Sequence, residues 1–129
     1  VNMIDWSRKA MFSYVNEYFR KLIKLRKKHP AFRMTSTKQI QKHLRFSKHY
    51  LPGVVAYTLC NHANGDKWKT ICVIFNNNAS PVAFPVKNQK WTEVANGLAI
   101  DENGLRTQEA HTVFVQPVSM MILVANGDE

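Results

Sequence analysis

The chain has 129 residues, 45% of them hydrophobic and 11% aromatic, which suits one folded domain, or one domain with an appendage, and excludes overall disorder. No apolar run approaches the roughly 20 residues that a membrane-spanning helix needs. The net charge is +9, and it is concentrated: residues 1–34 hold nine Lys/Arg against two Asp/Glu, whereas residues 35–129 hold nine against seven. Basicity therefore belongs to the first segment. Such a segment either attracts phosphate or anionic membrane, or is the solvated or partner-facing side of a helix.

The first predicted element is a long helix. Ser7 or Asp5 can cap it, and Trp6 can staple its start. Met11, Phe12, Val15, Tyr18, Phe19, Leu22, Ile23 and Leu25 then recur at helical spacing and form one broad apolar stripe. Arg8, Lys9, Arg20, Lys21, Lys24, Lys27 and Lys28 lie mostly off it. Lys27, Lys28 and His29 fall in the last turn, where positive charge suits the helix dipole. Pro30 then ends the helix: it disfavours helical geometry at His29 and has no N–H to continue the ladder.

Beyond Pro30 the apolar period changes to about 2. Candidate strands cover residues 42–47, 54–60, 70–76, 81–86, 90–95, 111–116 and 119–125, rich in Val, Ile, Thr, Phe and Trp. Turn clusters separate them, including Asn64–Gly65 and Asn103–Gly104. Seven short strands with no helical run among them predict a mainly β fold, an antiparallel sandwich of Greek-key type, and no helix after Pro30. Pro81, Pro85 and Pro117 suit sheet edges or strand starts. A hairpin that sets Leu59 opposite Thr70 puts Cys60 and Cys72 out of register, so two free thiols are expected.

No set of residues assembles a catalytic pattern. Glycosidic hydrolysis uses two carboxylates about 5–10 Å apart, and the acidic residues here read as caps, turns, exposed strand positions or termini. The five histidines read as surface or strand residues, without metal-ligand spacing, and there is no phosphate-binding glycine loop. Neither a cofactor nor a metal is expected. Trp6, Trp68 and Trp91 are candidate sugar-stacking platforms; the alternative is that Trp6 staples the helix start while Trp68 and Trp91 pack at sandwich edges. A nucleic-acid surface would interleave basic residues with exposed aromatics across the sheet. The basic cluster lies on the helix instead, and neither nucleic acid nor membrane is the expected partner.

The stretches VNMIDWSRK, LIKLRKKHPAFRM, HLRF, VVAYTL, NHANGDKWKTICVIFN and VSMMILV, in this order, resemble the C-terminal end of type I pullulanases. These are starch-debranching glycoside hydrolases of the α-amylase superfamily. The resemblance implies that residues 1–29 carry the last helix of a catalytic (β/α)8 barrel and that residues 30–129 form the C-terminal β-sandwich. It implies no catalytic residue within this chain, since the family's carboxylates lie on earlier barrel strands. Asn2 and Asp5 match the stretch that enters the last barrel helix and would sit on the substrate side. The expected partners are the barrel of the same polypeptide, an α-glucan and, through the helix, a second copy of the chain. The sequence starts without an initiator Met or an apolar leader, and is expected to begin inside a longer protein. Secretion or display at the cell surface is the expected location, with the cytoplasm as the alternative.

Overall fold

A computed structural model of the chain describes Ser7 and residues 12–126. Asn2, Asp5 and Trp6 lie outside the described residues, as do Arg8, Lys9 and Met11. Helix α1 runs Ser13–Lys28. His29 turns to an extended conformation, and Pro30 opens a single 3-10 turn, Pro30–Arg33, as its first residue. There its missing N–H costs nothing. The Arg33 guanidinium folds back and donates to the carbonyls of Arg26 and Lys27, at 3.0 and 3.1 Å. Two orphan acceptors at the negative end of α1 are thereby satisfied by a cation.

The expectation that no helix follows Pro30 is overturned. Residues Thr37–His43 form a second helix, α2. Its cause is local: the Ser36 hydroxyl accepts from the Gln39 N–H at 3.1 Å, within a Ser-Thr-Lys-Gln run that has the spacing of a capping box. The strand expected over 42–47 shrinks accordingly to β1, Leu44–Phe46.

Five more strands follow: β2 Val54–Leu59, β3 Thr70–Asn76, β4 Val82–Ala95, β5 Arg106–Val115 and β6 Ser119–Ala125. They are six rather than seven because the stretches 81–86 and 90–95 join into one long β4, with an irregularity between Pro85 and Gln89 in its pairing to β5. The sheet order is β1-β2-β3-β6-β4-β5, with antiparallel neighbours throughout. Only Thr92–Ala95 of β4 pairs with β6. The first half of β4 pairs with β5 alone, so Pro85 sits where no second ladder needs its N–H.

β4 thus passes from one layer to another, and the sheet folds into a sandwich. Ala56, Cys72, Ile74, Met121 and Leu123 on one face meet Phe84, Trp91, Val113 and Val115 of β4 and β5. On the opposite face, Leu59, Ile71, Val73, Ile122 and Val124 meet Leu25 of α1, Ala31 and Trp68. Strand residues alternate between faces. Both faces are covered over 71–74 of β3 and 121–125 of β6, which is why TICVIFN and SMMILVA read as nearly continuous apolar runs. Each such side chain taken out of water contributes about 1.5–3 kcal/mol.

The β2–β3 register is one residue from the expected one: Leu59 faces Ile71, and Cys72 faces Thr58. Both cysteines are free thiols. Between the strands, residues 61, 62, 64 and 65 adopt positive φ, with Asn64 at +54° and Gly65 at +77°. This tight reversal carries Asp66 inward, beneath the end of α1.

Candidate functional site

Where α1 hands over to the sandwich, the loops after β2 and after β4 meet on His29. The imidazole is fully buried. Its Nδ1 lies 2.9 Å from Asp66 Oδ1, and its Nε2 3.2 Å from Glu102 Oε1. Each ring nitrogen therefore has a carboxylate oxygen within hydrogen-bond reach. The Trp68 indole stacks on the imidazole, with centroids 3.5 Å apart and planes 14° from parallel.

Asp66 is equally buried and fully used. Its Oδ1 also accepts from the Trp68 N–H at 2.9 Å, and its Oδ2 accepts from the Ala31 N–H at 3.1 Å. Its partners therefore include the residue after Pro30 and the residue that stacks on His29. Asn64 reinforces the same corner, donating to the Pro30 carbonyl at 2.8 Å. On the outer side, Lys28 Nζ meets Glu102 Oε2 at 2.6 Å, and Lys67 approaches Oε1 at 3.8 Å. The hydrogen bond from Lys28 is the main cause that holds the Glu102 carboxyl below its ordinary range; partial burial opposes it, and the His29 contact assists. Further along α1, the Tyr18 hydroxyl donates to the Asn96 carbonyl at 2.8 Å, and burial raises its pKa.

This arrangement is built to hold. Both ring nitrogens of His29 are engaged, one ring face is covered by Trp68, and nothing about the ring is open to solvent. Among the described residues, no group of three His, Cys, Asp or Glu side chains could hold a metal ion. The junction is a buried, hydrogen-bonded clasp that pins the His-Pro corner between helix and sandwich.

The sequence-predicted site residues fall elsewhere. Asn2 and Asp5 lie outside the described residues. Trp68 and Trp91 are 8% and 3% exposed, so neither offers a face to a sugar ring. The reason is packing: Trp68 covers His29, while Trp91 enters the core between the layers and donates from Nε1 to the Lys87 carbonyl. Asp66 and Glu93 were expected in a turn and on an exposed strand position, yet both are buried. Glu93 accepts from Arg106 Nε at 2.8 Å. His29, expected at the surface, is the centre of the clasp. Its carboxylate partners come 37 and 73 residues later, and no local pattern in the chain links them.

The family model described as "Pullulanase, all-beta domain" matches residues 40–99. Over 134 aligned residues the chain is 33% identical to the pullulanase of Bacillus subtilis strain 168, covering 99% of this chain and 18% of that protein. Among solved structures, the pullulanase from Bacillus acidopullulyticus superposes with a TM-score of 0.90 at 41% identity, covering 97% of this chain and 15% of that one. A type I pullulanase of Bacillus subtilis in complex with maltose gives a TM-score of 0.86 at 29% identity, covering 98% and 18%. The Paenibacillus barengoltzii enzyme, in complex with maltohexaose and α-cyclodextrin, gives 0.81 at 35% identity, covering 98% and 19%. The chain thus spans under a fifth of the length of these relatives. Family model, sequence relative and solved structures converge: residues 40–99 match the all-β domain of pullulanases, and nearly the whole chain is similar to one part of several pullulanases.

Proposed function

We propose that this chain is the non-catalytic C-terminal portion of a starch-debranching pullulanase. In this reading α1 is the last helix of a catalytic barrel, and the sandwich stabilises that barrel. The whole enzyme hydrolyses α-1,6-glucosidic links in pullulan and amylopectin with carboxylates supplied by other parts of the polypeptide.

One observation carries the reading: α1 has two apolar stripes, and the sandwich covers only one. Tyr18, Leu22 and Leu25 pack on the sandwich. Phe12, Val15, Phe19 and Ile23, spaced three to four apart, are 44%, 37%, 57% and 54% exposed. A helix apolar on two sides belongs between two bodies. The sheet face on which α1 packs carries a second apolar group, in which Tyr57 meets the exposed Phe46 and Phe75 at ring-centroid distances of 6.2 and 6.4 Å. Exposed apolar patches of this kind mark interfaces. The clasp at His29 then makes helix and sandwich move as one body, so support given to the helix reaches the barrel.

The test compares a barrel made with and without this chain. The barrel with it is expected to release reducing sugar from pullulan and to melt at a higher temperature than the barrel without it. This chain alone is expected to release none. Hydrolysis of pullulan by the 129 residues alone would overturn the proposal.

A further inference from the structure

A second feature lies away from the clasp, at the end of the sandwich near the β5–β6 turn. A cleft of about 550 Å³ opens there between the end of β5, the start of β6 and the loop after β4. Its floor includes Val115 and Met121, both buried, and Glu93, which is 6% exposed. Its rim carries Phe114, Leu98 and Val118, which are 64%, 94% and 73% exposed.

The wall of the cleft is held by an unfavourable backbone. Val118 has φ +48°, a rare and strained conformation for a β-branched residue. It persists because the Val118 N–H donates to the Asn78 carbonyl at 3.2 Å and the neighbouring Ser119 hydroxyl donates to the Gln116 carbonyl at 2.8 Å. From the other side, Gly97 presses so closely on Ser119 that a Cβ there would lie 2.7 Å from the Ser119 Cβ.

The polar groups suit a neutral, polyhydroxylated ligand. Glu93 accepts from Arg106 Nε at 2.8 Å and from the Asn96 amide at 3.3 Å. The pair cancels in charge, and the Arg106 side chain stays 61% exposed. A carboxylate, a guanidinium and the Gln116 carboxamide offer acceptors and donors of the kind that sugar hydroxyls use, while the Asn96 carboxamide holds the wall by accepting from the Leu98 and Ala99 N–H groups. Phe114 adds one exposed ring on which an apolar sugar face can lie. Apolar walls with a few convergent polar groups are the general form of a small-ligand site.

We propose that this cleft is an accessory site for α-glucan chains, with Phe114 as stacking platform and Arg106, Glu93 and Gln116 as hydroxyl partners. The choice of glucan rests on the pullulanase reading above. The test is a titration of this chain with maltoheptaose to about 10 mM, followed by amide and Arg Nε resonances in NMR, with cellohexaose as the β-linked control. Shifts confined to Phe114, Gln116, Val118 and Arg106 are expected, and Phe114→Ala is expected to weaken binding about tenfold or more, with unchanged melting. No shift with maltoheptaose, equal shifts with cellohexaose, or undiminished binding by a folded Phe114→Ala or Gln116→Ala variant overturns the site. A barrel stabilised by this chain together with a silent titration rejects the cleft alone. Binding here without any effect on the barrel rejects the stabilising role and leaves a glucan-binding module.

Discussion

His29, Asp66 and Glu102 show how three residues of unremarkable local context become the centre of a molecule. Asp66→Ala removes an acceptor from the His29 ring and from two backbone N–H groups, all buried. A buried polar group left without its partner costs about 1–3 kcal/mol, and urea unfolding of this variant is expected to show a loss of at least that size. Glu102 sets a pH dependence. Its carboxyl is held below the ordinary value of 4.5 in the folded state. Its contribution is therefore fully present above that value and is lost as pH falls through the folded-state titration. Glu102→Gln is expected to flatten the acid limb of a stability–pH curve while leaving its slope above pH 5 unchanged. The buried Cys72 thiol is pushed up to about 11, mainly by burial, with a Thr58 hydrogen bond acting in the opposite direction. Alkylation near pH 8 is expected to modify Cys72 only after unfolding, because the thiolate is the reacting form. Labelling of Cys72 in the folded chain would contradict the packing of the inner core.

At the scale of elements, chain pattern and structure agree where burial is periodic and part company where contacts are distant. α1 was legible from its apolar spacing, and its end from Pro30. Most strands were legible from alternation and turn residues. α2 was missed although Ser36 and Gln39 carry a capping signal, because HLRF drew the segment towards a strand. The union of two predicted strands into β4 was not legible, because Pro85 and the Lys-Asn-Gln stretch resemble a turn while the structure absorbs them as an irregularity in a long strand. The clasp was invisible, since its partners are dozens of residues apart and tryptophan, histidine and aspartate in loops carry no signature of burial. The two faces of α1 make a paired prediction. At concentrations low enough to keep the chain monomeric, Phe19→Ser or Ile23→Glu, on the open stripe, is expected to change the stability of this chain by no more than about 0.5 kcal/mol. The same changes are expected to lower the melting temperature of the proposed whole enzyme. Loss of stability in the isolated chain would mean that the stripe already packs within it.

At the scale of the molecule, an uncovered apolar stripe on α1, together with exposed Phe46, Val55 and Phe75 on the sheet, predicts association between copies. Sedimentation of the chain is expected to depend on concentration, and Ile23→Glu to restore a monomer; a monomer at all concentrations would count against an open interface. The +9 charge lies largely on and around α1, and of its basic residues Lys28 reaches across to Glu102 on the sandwich. The junction also decides how this piece can be transplanted. A graft that begins after Pro30 keeps every strand but leaves the Asp66 carboxylate without His29 and uncovers one side of the Trp68 ring. Designers who wish to move the sandwich onto another enzyme should place the cut ahead of α1 and carry the rod along with its β partner.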